Sequence, residues 1–157
     1  MSLALRNLVF TLVVPGAGAV GVPWWILAGS GATAPVAPDA VAVIGVGAAL
    51  YLWCLWLFAT VGRGTPGPWD APRQVVAVGP YRWVRNPIYI AALLVVVGEA
   101  WLFMSPPLLA YAGAMAITVH LFVIGYEEPT LERRFGPAYT AYRQGVPRWL
   151  PKRGRQT

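Results

Sequence analysis

Three long stretches of the chain contain almost no charged side chains, and their lengths predict the arrangement of helices. Residues 7–38 and 40–62 contain no Asp, Glu, Lys or Arg, and residues 86–126 contain only Glu99. These windows are 32, 23 and 41 residues long. Because a helix needs roughly 20 apolar residues to cross a bilayer, the windows hold one helix, one helix and a tight pair of helices.

The pattern places four membrane-spanning helices near Leu8–Leu27, Ala40–Val61, Ile88–Met104 and Leu108–Tyr126. The turn between the last two is predicted at Ser105-Pro106-Pro107, because proline cannot continue a helix and restricts the residue before it. In the first helix, a cluster of glycines after Pro15 predicts a kink or close packing.

Composition supports a membrane protein. Hydrophobic residues make up 57% of the 157 residues and charged residues only 11%, whereas about 25% of an average soluble domain is charged. This composition excludes an ordinary water-soluble domain, and its apolar richness excludes disorder. We predict an all-α, polytopic membrane protein in which residues 1–157 form a single domain.

The basic residues fall on one side of the predicted bundle. One Lys or Arg precedes the first helix, four lie between the second and third, and seven follow the fourth, which accounts for all 12. The positive-inside rule therefore predicts that both termini and the 62–87 loop are cytoplasmic, with the chain in the inner membrane of the cell. The net charge of +6 is then a stripe facing anionic lipid headgroups, and nucleic acid is not an expected partner.

The end of the 62–87 loop is the first candidate for chemistry. Residues 79–89 read Gly-Pro-Tyr-Arg-Trp-Val-Arg-Asn-Pro-Ile-Tyr, and the Gly-Pro pair predicts a turn. The next residues suffice for one helical turn with Arg82 and Arg85 on the same face. Asn86 is a suitable N-cap and Pro87 a suitable first residue for the third membrane helix. The alternative is an interfacial anchor whose arginines reach lipid phosphates.

An acidic doublet, Glu127-Glu128, is the second candidate. At the predicted C-terminus of the fourth helix, two carboxylates oppose the helix dipole at a cost of roughly 0.3–1 kcal/mol each. A positive partner is therefore expected. The partner is predicted to be Arg133 and Arg134, Arg82 and Arg85 across the bundle, or a cationic or hydroxyl-bearing ligand.

The segment that follows predicts an amphipathic helix over residues 131–142. Leu131, Phe135, Tyr139 and Tyr142 recur at spacings of 4, 4 and 3, which gives one apolar and aromatic face. That face could cover the cytoplasmic mouth of the bundle as a lid or dock on the membrane.

Two ionisable residues lie inside the predicted membrane helices. His120 precedes Glu127 by seven residues, so both lie on one helix face roughly 10 Å apart. His120 is a candidate catalytic base or tunnel residue, and Glu99, nearer the other end, is expected to pair with a helix neighbour. A small transporter that relays protons through Glu99 and His120 is the alternative function, and a non-catalytic membrane scaffold is a third.

Taken together, the motifs resemble the isoprenylcysteine carboxyl methyltransferase and phospholipid methyltransferase superfamily. The matching elements are the 79–89 segment, the acidic doublet, the aromatic spacing after it, and Val146-Pro147-Arg148 with Pro151, so the match covers residues 79–151. Two positions depart from the superfamily pattern. Asn86 replaces a histidine, so it can hydrogen-bond but cannot carry a proton, and Ala91 replaces a glycine.

The resemblance implies a multi-helix membrane enzyme that uses S-adenosylmethionine. It implies that the cofactor is bound by Arg85, Asn86, Pro87, Tyr89, Glu127 and Glu128. We add Tyr81 and Arg82, from the same segment, as further candidate cofactor-binding residues. The candidate catalytic residues are Arg85, Tyr89 and His120. Arginine suits the cofactor carboxylate, glutamate suits its ammonium or ribose hydroxyls, and tyrosine rings suit its sulfonium. No metal is expected, and the implied partner is a lipid or other lipophilic acceptor.

Overall fold

The computed structural model describes residues 3–30, 37–63, 65 and 73–151, and in these ranges it contains helices and no strands. The helices are α1 (Leu3–Val13), α2 (Val22–Ala28), α3 (Pro38–Leu57), α4 (Pro87–Leu102), α5 (Pro106–Phe122), α6 (Glu128–Phe135) and α7 (Pro137–Gly145). Single π-helical turns occupy Ala17–Gly21, Phe58–Gly62 and Val123–Glu127, and a 3₁₀ turn occupies Gly79–Arg82. The predicted all-α fold is confirmed.

The described helices give three continuous stretches that are long and apolar enough to cross a membrane. They are Leu5–Ala28, Pro38–Gly62 and Pro106–Phe135, and α4 is a shorter apolar helix of 16 residues. At 1.5 Å per residue, α4 is roughly 24 Å long. The predicted third helix, Ile88–Met104, thus ends two residues earlier in the structure, at Leu102. The predicted fourth helix, Leu108–Tyr126, is instead part of a continuous helix that runs on to Phe135.

The turn between α4 and α5 differs from the prediction in its position. The chain reverses at residues 103–105, where Met104 has a left-handed φ of 46°. The Ser105 hydroxyl accepts a hydrogen bond from the Leu108 amide at 3.4 Å. Pro106 and Pro107 belong to the first turn of α5, where a helix has no use for the missing amide hydrogens. The prolines thus start the helix instead of making the turn.

The glycine cluster of the first membrane helix lies at a π-helical turn and at a packed contact. The π-helical turn Ala17–Gly21 separates α1 from α2, and a π turn frees a carbonyl from the regular helical pattern. The hydroxyl of Tyr111 on α5 donates to the carbonyl oxygen of Gly18 at 2.7 Å. Ala19 packs beside it against Val96 of α4 and Ala112 of α5. The first membrane helix is therefore tied to both members of the α4–α5 pair.

Close packing of α3 on α4 brings the end of α3 beside the start of α4. A Cβ atom added at Gly47 would lie 2.8 Å from the carbonyl oxygen of Ala91, and one at Gly98 would lie 2.6 Å from Cγ1 of Ile44. Glycine at these two positions lets the helices approach, as small residues do in membrane helix pairs.

We expect Gly47→Ala to destabilise the bundle by about 1–3 kcal/mol, because the new methyl group would meet backbone that cannot move aside. Gly45→Ala is the matched control, since a Cβ at Gly45 has nothing within 4 Å among the described residues. The melting temperatures of the two variants in detergent measure the difference. Equal melting temperatures would show that the α3–α4 contact is looser than described.

Candidate active site

The segment before α4 turns one arginine inward and leaves the other outside. The 3₁₀ turn ends at Arg82, whose side chain is exposed. Three residues later the amide of Arg85 donates to the carbonyl oxygen of Pro147 at 2.9 Å, so Arg85 is not part of a helix. The prediction that Arg82 and Arg85 share one helical face is therefore wrong, because the turn is too short to include Arg85.

Arg85 meets the acidic doublet. Its Nη2 lies 3.2 Å from Oε1 of Glu128, and both side chains are less than a tenth exposed. The remaining nitrogens of Arg85, Nε and Nη1, are buried and have no hydrogen-bond partner among the described residues. A buried guanidinium with unused donors is costly, so these two atoms mark a place where a ligand would fit.

Glu127 meets α4 in a separate contact. The hydroxyl of Tyr89, on the first turn of α4, donates to Oε2 of Glu127 at 2.7 Å. The doublet does not end a helix as predicted, because the π-helical turn Val123–Glu127 leads directly into α6. The two carboxylates therefore do not face the negative end of a helix dipole. Each carboxylate instead has its own partner in the segment that includes Arg85 and Tyr89.

The C-terminal segment completes this cluster through Arg148, a residue whose spacing in the sequence does not mark it as part of the site. Arg148 donates from Nε to Oε1 of Glu128 at 2.7 Å and from Nη2 to Oε2 at 2.9 Å. The side-chain Nδ2 of Asn86 donates to the carbonyl oxygen of Arg148 at 3.3 Å. Asn86 is the N-cap of α4 as predicted, but its side chain makes no capping bond. The only sequence feature that pointed to Arg148 was the Val146-Pro147-Arg148 motif. That motif does not indicate which carboxylate Arg148 binds.

One open cavity lies beside this cluster, at the end of the bundle that carries Arg85 and Arg148, which we call the basic end. The cavity encloses about 920 Å³ of empty space, its open mouth included. One part of its wall is polar, with Arg85, Asn86, Tyr89, Glu127 and Glu128. Another part is apolar, with Phe58, Val75, Val76 and Phe122.

The predicted amphipathic face covers the same cavity. Leu131, Phe135, Tyr139 and Tyr142 all line it, although the predicted single helix is two helices, α6 and α7, separated by a backbone break at Gly136 with φ 52°. The Tyr142 hydroxyl donates to the carbonyl oxygen of Tyr81 at 2.7 Å and holds α7 against the 3₁₀ turn.

Three tyrosines of α7 and the 3₁₀ turn line the cavity and are protonated at neutral pH. Burial raises the pKa of Tyr139 to about 12, with the charge of Glu128 as a smaller contribution in the same direction. Burial also raises the pKa of Tyr142, and it raises that of Tyr81. Each hydroxyl therefore stays protonated across the physiological range, so these tyrosines offer a ligand aromatic faces but no basic oxygen.

Three predicted site residues lie away from this cavity. Arg82 is exposed, Pro87 is buried at the first position of α4, and neither lines the cavity. Nδ1 of His120 accepts a hydrogen bond from the indole nitrogen of Trp149 at 3.0 Å, and His120 is not among the lining residues. The structure therefore brings together Tyr81, Arg85, Asn86, Tyr89, Glu127 and Glu128.

The described helices include three stretches long and apolar enough to cross a membrane, and the cavity has a polar and an apolar part to its wall. A model of the phospholipid methyltransferase family matches residues 39–138, which is more than half of the chain. The chain therefore belongs to this family and is a membrane methyltransferase. Comparisons with curated proteins and with solved structures gave no significant match.

Proposed function

We propose that the protein transfers a methyl group from S-adenosylmethionine to a lipophilic or amphipathic acceptor, and that the cofactor occupies the cavity at the basic end. The observation that supports this most strongly is the meeting of Arg85 and Tyr89 with Glu127 and Glu128 in one cavity. A nucleoside with a carboxylate, an ammonium group and a sulfonium needs such a mixture of donors, acceptors and aromatic faces.

The residues present fit that cofactor. The unused Nε and Nη1 of Arg85 suit its carboxylate, because a guanidinium binds carboxylates through paired donors. Glu127 suits the ammonium group or the ribose hydroxyls of the cofactor. Tyr89 holds the Glu127 carboxylate in place. Asn86 offers a further polar contact. The tyrosine faces that line the cavity favour a cationic group within about 6 Å.

When bound, S-adenosylmethionine supplies an electrophilic methyl group. The protein's contribution is to position the acceptor in line with that group and to exclude water. Arg85 and Tyr89, as the candidate catalytic residues, act by holding the reactants. Leu131 and Phe135 of α6 add apolar surface to the cavity wall, which disfavours water there.

The apolar part of the cavity is where we place the acceptor. Phe58 at the end of α3 and Phe122 at the end of α5 both line it, and both helices belong to membrane-spanning stretches. An acceptor could therefore come from the bilayer while its reactive group reaches the polar wall. An isoprenylcysteine carboxylate, a phospholipid amine and a thiol all fit. A carboxylate or thiolate needs no base, whereas a protonated amine must first lose a proton.

We place the basic end on the cytoplasmic side of the inner membrane, with the whole chain as one domain. The segment before α4 and the C-terminal segment both contribute arginines to this end, and the positive-inside rule assigns such segments to the cytoplasm. Cytoplasmic S-adenosylmethionine would then have direct access to the cavity.

The geometry does not favour the transporter alternative. Glu99 lies near Tyr111, whereas His120 is nine residues further along α5 than Tyr111, or about 13 Å. His120 is also engaged by Trp149. A proton relay between Glu99 and His120 would have to bridge that separation.

Transfer of a labelled methyl group tests the proposal. Purified protein in detergent is incubated with methyl-labelled S-adenosylmethionine and an extract of host membranes, and the organic phase is counted and its product identified. We expect label in a lipophilic product, suppressed by S-adenosylhomocysteine. If the wild-type protein neither transfers label nor binds S-adenosylhomocysteine, the proposed function is wrong.

A further inference from the structure

Two arginines compete for one carboxylate in the candidate active site. Glu128 is buried, at 6% exposure. Its Oε1 faces both Nε of Arg148 at 2.7 Å and Nη2 of Arg85 at 3.2 Å, and its Oε2 accepts from Nη2 of Arg148 at 2.9 Å. Arg148 therefore holds both oxygens through a two-point contact, while Arg85 makes a single, longer one.

This division of contacts leaves Arg85 available for a ligand. A two-point contact between a guanidinium and a carboxylate is among the strongest ion pairs in proteins. If Arg85 made that contact with Glu128, two of its nitrogens would be occupied. Because Arg148 makes it instead, Nε and Nη1 of Arg85 are buried without a partner among the described residues.

We propose that Arg148 is a positioning residue that keeps Arg85 free to bind the cofactor by occupying Glu128. The inference rests on the proposed function, because it takes the ligand of Arg85 to be the carboxylate of S-adenosylmethionine. Arg148 itself does not line the cavity. It acts through Glu128 on Arg85, and the backbone of its segment is fixed to the segment of Arg85 by the bond from the Arg85 amide to Pro147.

The proposal predicts an unusual pattern of affinities. In Arg148→Gln, Glu128 loses its main partner and is expected to take Arg85 in a two-point contact. That rearrangement should weaken the binding of S-adenosylhomocysteine by about tenfold, since a charge-assisted hydrogen bond has to be broken before the ligand can bind. The second substitution Glu128→Gln removes the charge that captures Arg85. The double variant should therefore bind more tightly than Arg148→Gln by about threefold or more, because a neutral amide competes weakly for a guanidinium.

The experiment is a double-mutant cycle measured by isothermal titration calorimetry with S-adenosylhomocysteine, on full-length protein in detergent. It includes the wild-type protein, Arg148→Gln, Glu128→Gln and the double variant, and the melting temperature of each is recorded without ligand. Restoration of affinity in the double variant is the expected result. A purely structural role predicts instead that the double variant binds no better than Arg148→Gln and that affinity falls in step with melting temperature.

Three results would overturn the positioning role: wild-type affinity in Arg148→Gln, no recovery in the double variant, or a loss above tenfold in Glu128→Gln alone. The last would show that Glu128 contacts the ligand directly. If Arg148→Gln does not fold, Arg148→Lys replaces it, because an ammonium group cannot match the two-point contact. Glu128→Gln should then restore the affinity that Arg148→Lys loses. Absence of binding by the wild-type protein would instead refute the proposed function, so the two failures are distinguishable.

Discussion

Replacing Arg85 with alanine is expected to weaken the binding of S-adenosylhomocysteine by about 100-fold or more. Arg85 is buried at the polar wall of the cavity, and its Nε and Nη1 are the donors we assign to the ligand carboxylate. Two charge-assisted hydrogen bonds at roughly 1.5–3 kcal/mol each account for a loss of that size. Isothermal titration calorimetry on the purified variant in detergent measures it.

Arg82→Ala is the matched control for this variant. The two arginines are three residues apart, but Arg82 is exposed and does not line the cavity. We expect Arg82→Ala to bind S-adenosylhomocysteine with wild-type affinity. A comparable loss in both variants would mean that the arginines attract the ligand only through their charge, which would contradict a defined contact at Arg85.

Glu127→Gln is expected to produce the second large effect, a loss of about 10- to 100-fold in affinity for S-adenosylhomocysteine. The carboxylate lines the cavity and is held by Tyr89 at 2.7 Å. We assign this carboxylate to the ligand ammonium group or ribose hydroxyls. An amide in its place is a neutral acceptor, and hydrogen bonds to a neutral acceptor are weaker than those to a carboxylate. The same calorimetric titration measures the loss.

Glu99→Gln provides the control for the loss of a carboxylate from a membrane helix. Glu99 lies near Tyr111 and is not among the residues that line the cavity. Its substitution should leave the affinity for S-adenosylhomocysteine unchanged. A large loss at Glu99 together with wild-type binding by Glu127→Gln would place the ligand at the other end of the bundle.

The sequence predicted the helical class and the lining of the cavity because both depend on patterns along the chain. The charge-free windows correspond to the apolar helices, and the spacing of Leu131, Phe135, Tyr139 and Tyr142 identified the side chains that cover the cavity. Small errors in the helix bounds do not change these predictions. The windows depend only on where charged residues occur, and the spacing depends only on the order of the residues.

The pairing of charges could not be predicted, because it depends on contacts between distant segments. Arg148 is 20 residues from Glu128, and nothing in its spacing distinguished it from the other basic residues near the C-terminus. His120 was expected on the face of Glu127, but the π-helical turn Val123–Glu127 lies between them and shifts that register. The prediction that Arg82 shares a face with Arg85 is wrong because the 3₁₀ turn ends before Arg85.

The central claim is that one cavity at the basic end binds S-adenosylmethionine between the segment of Arg85 and the acidic doublet. Ultraviolet cross-linking of radiolabelled S-adenosylmethionine to the purified protein, followed by peptide mapping, tests it most directly. The account predicts adducts within residues 81–89 and 122–142 that disappear when S-adenosylhomocysteine is in excess. Competed adducts confined to residues 3–30 or 95–115 would contradict it.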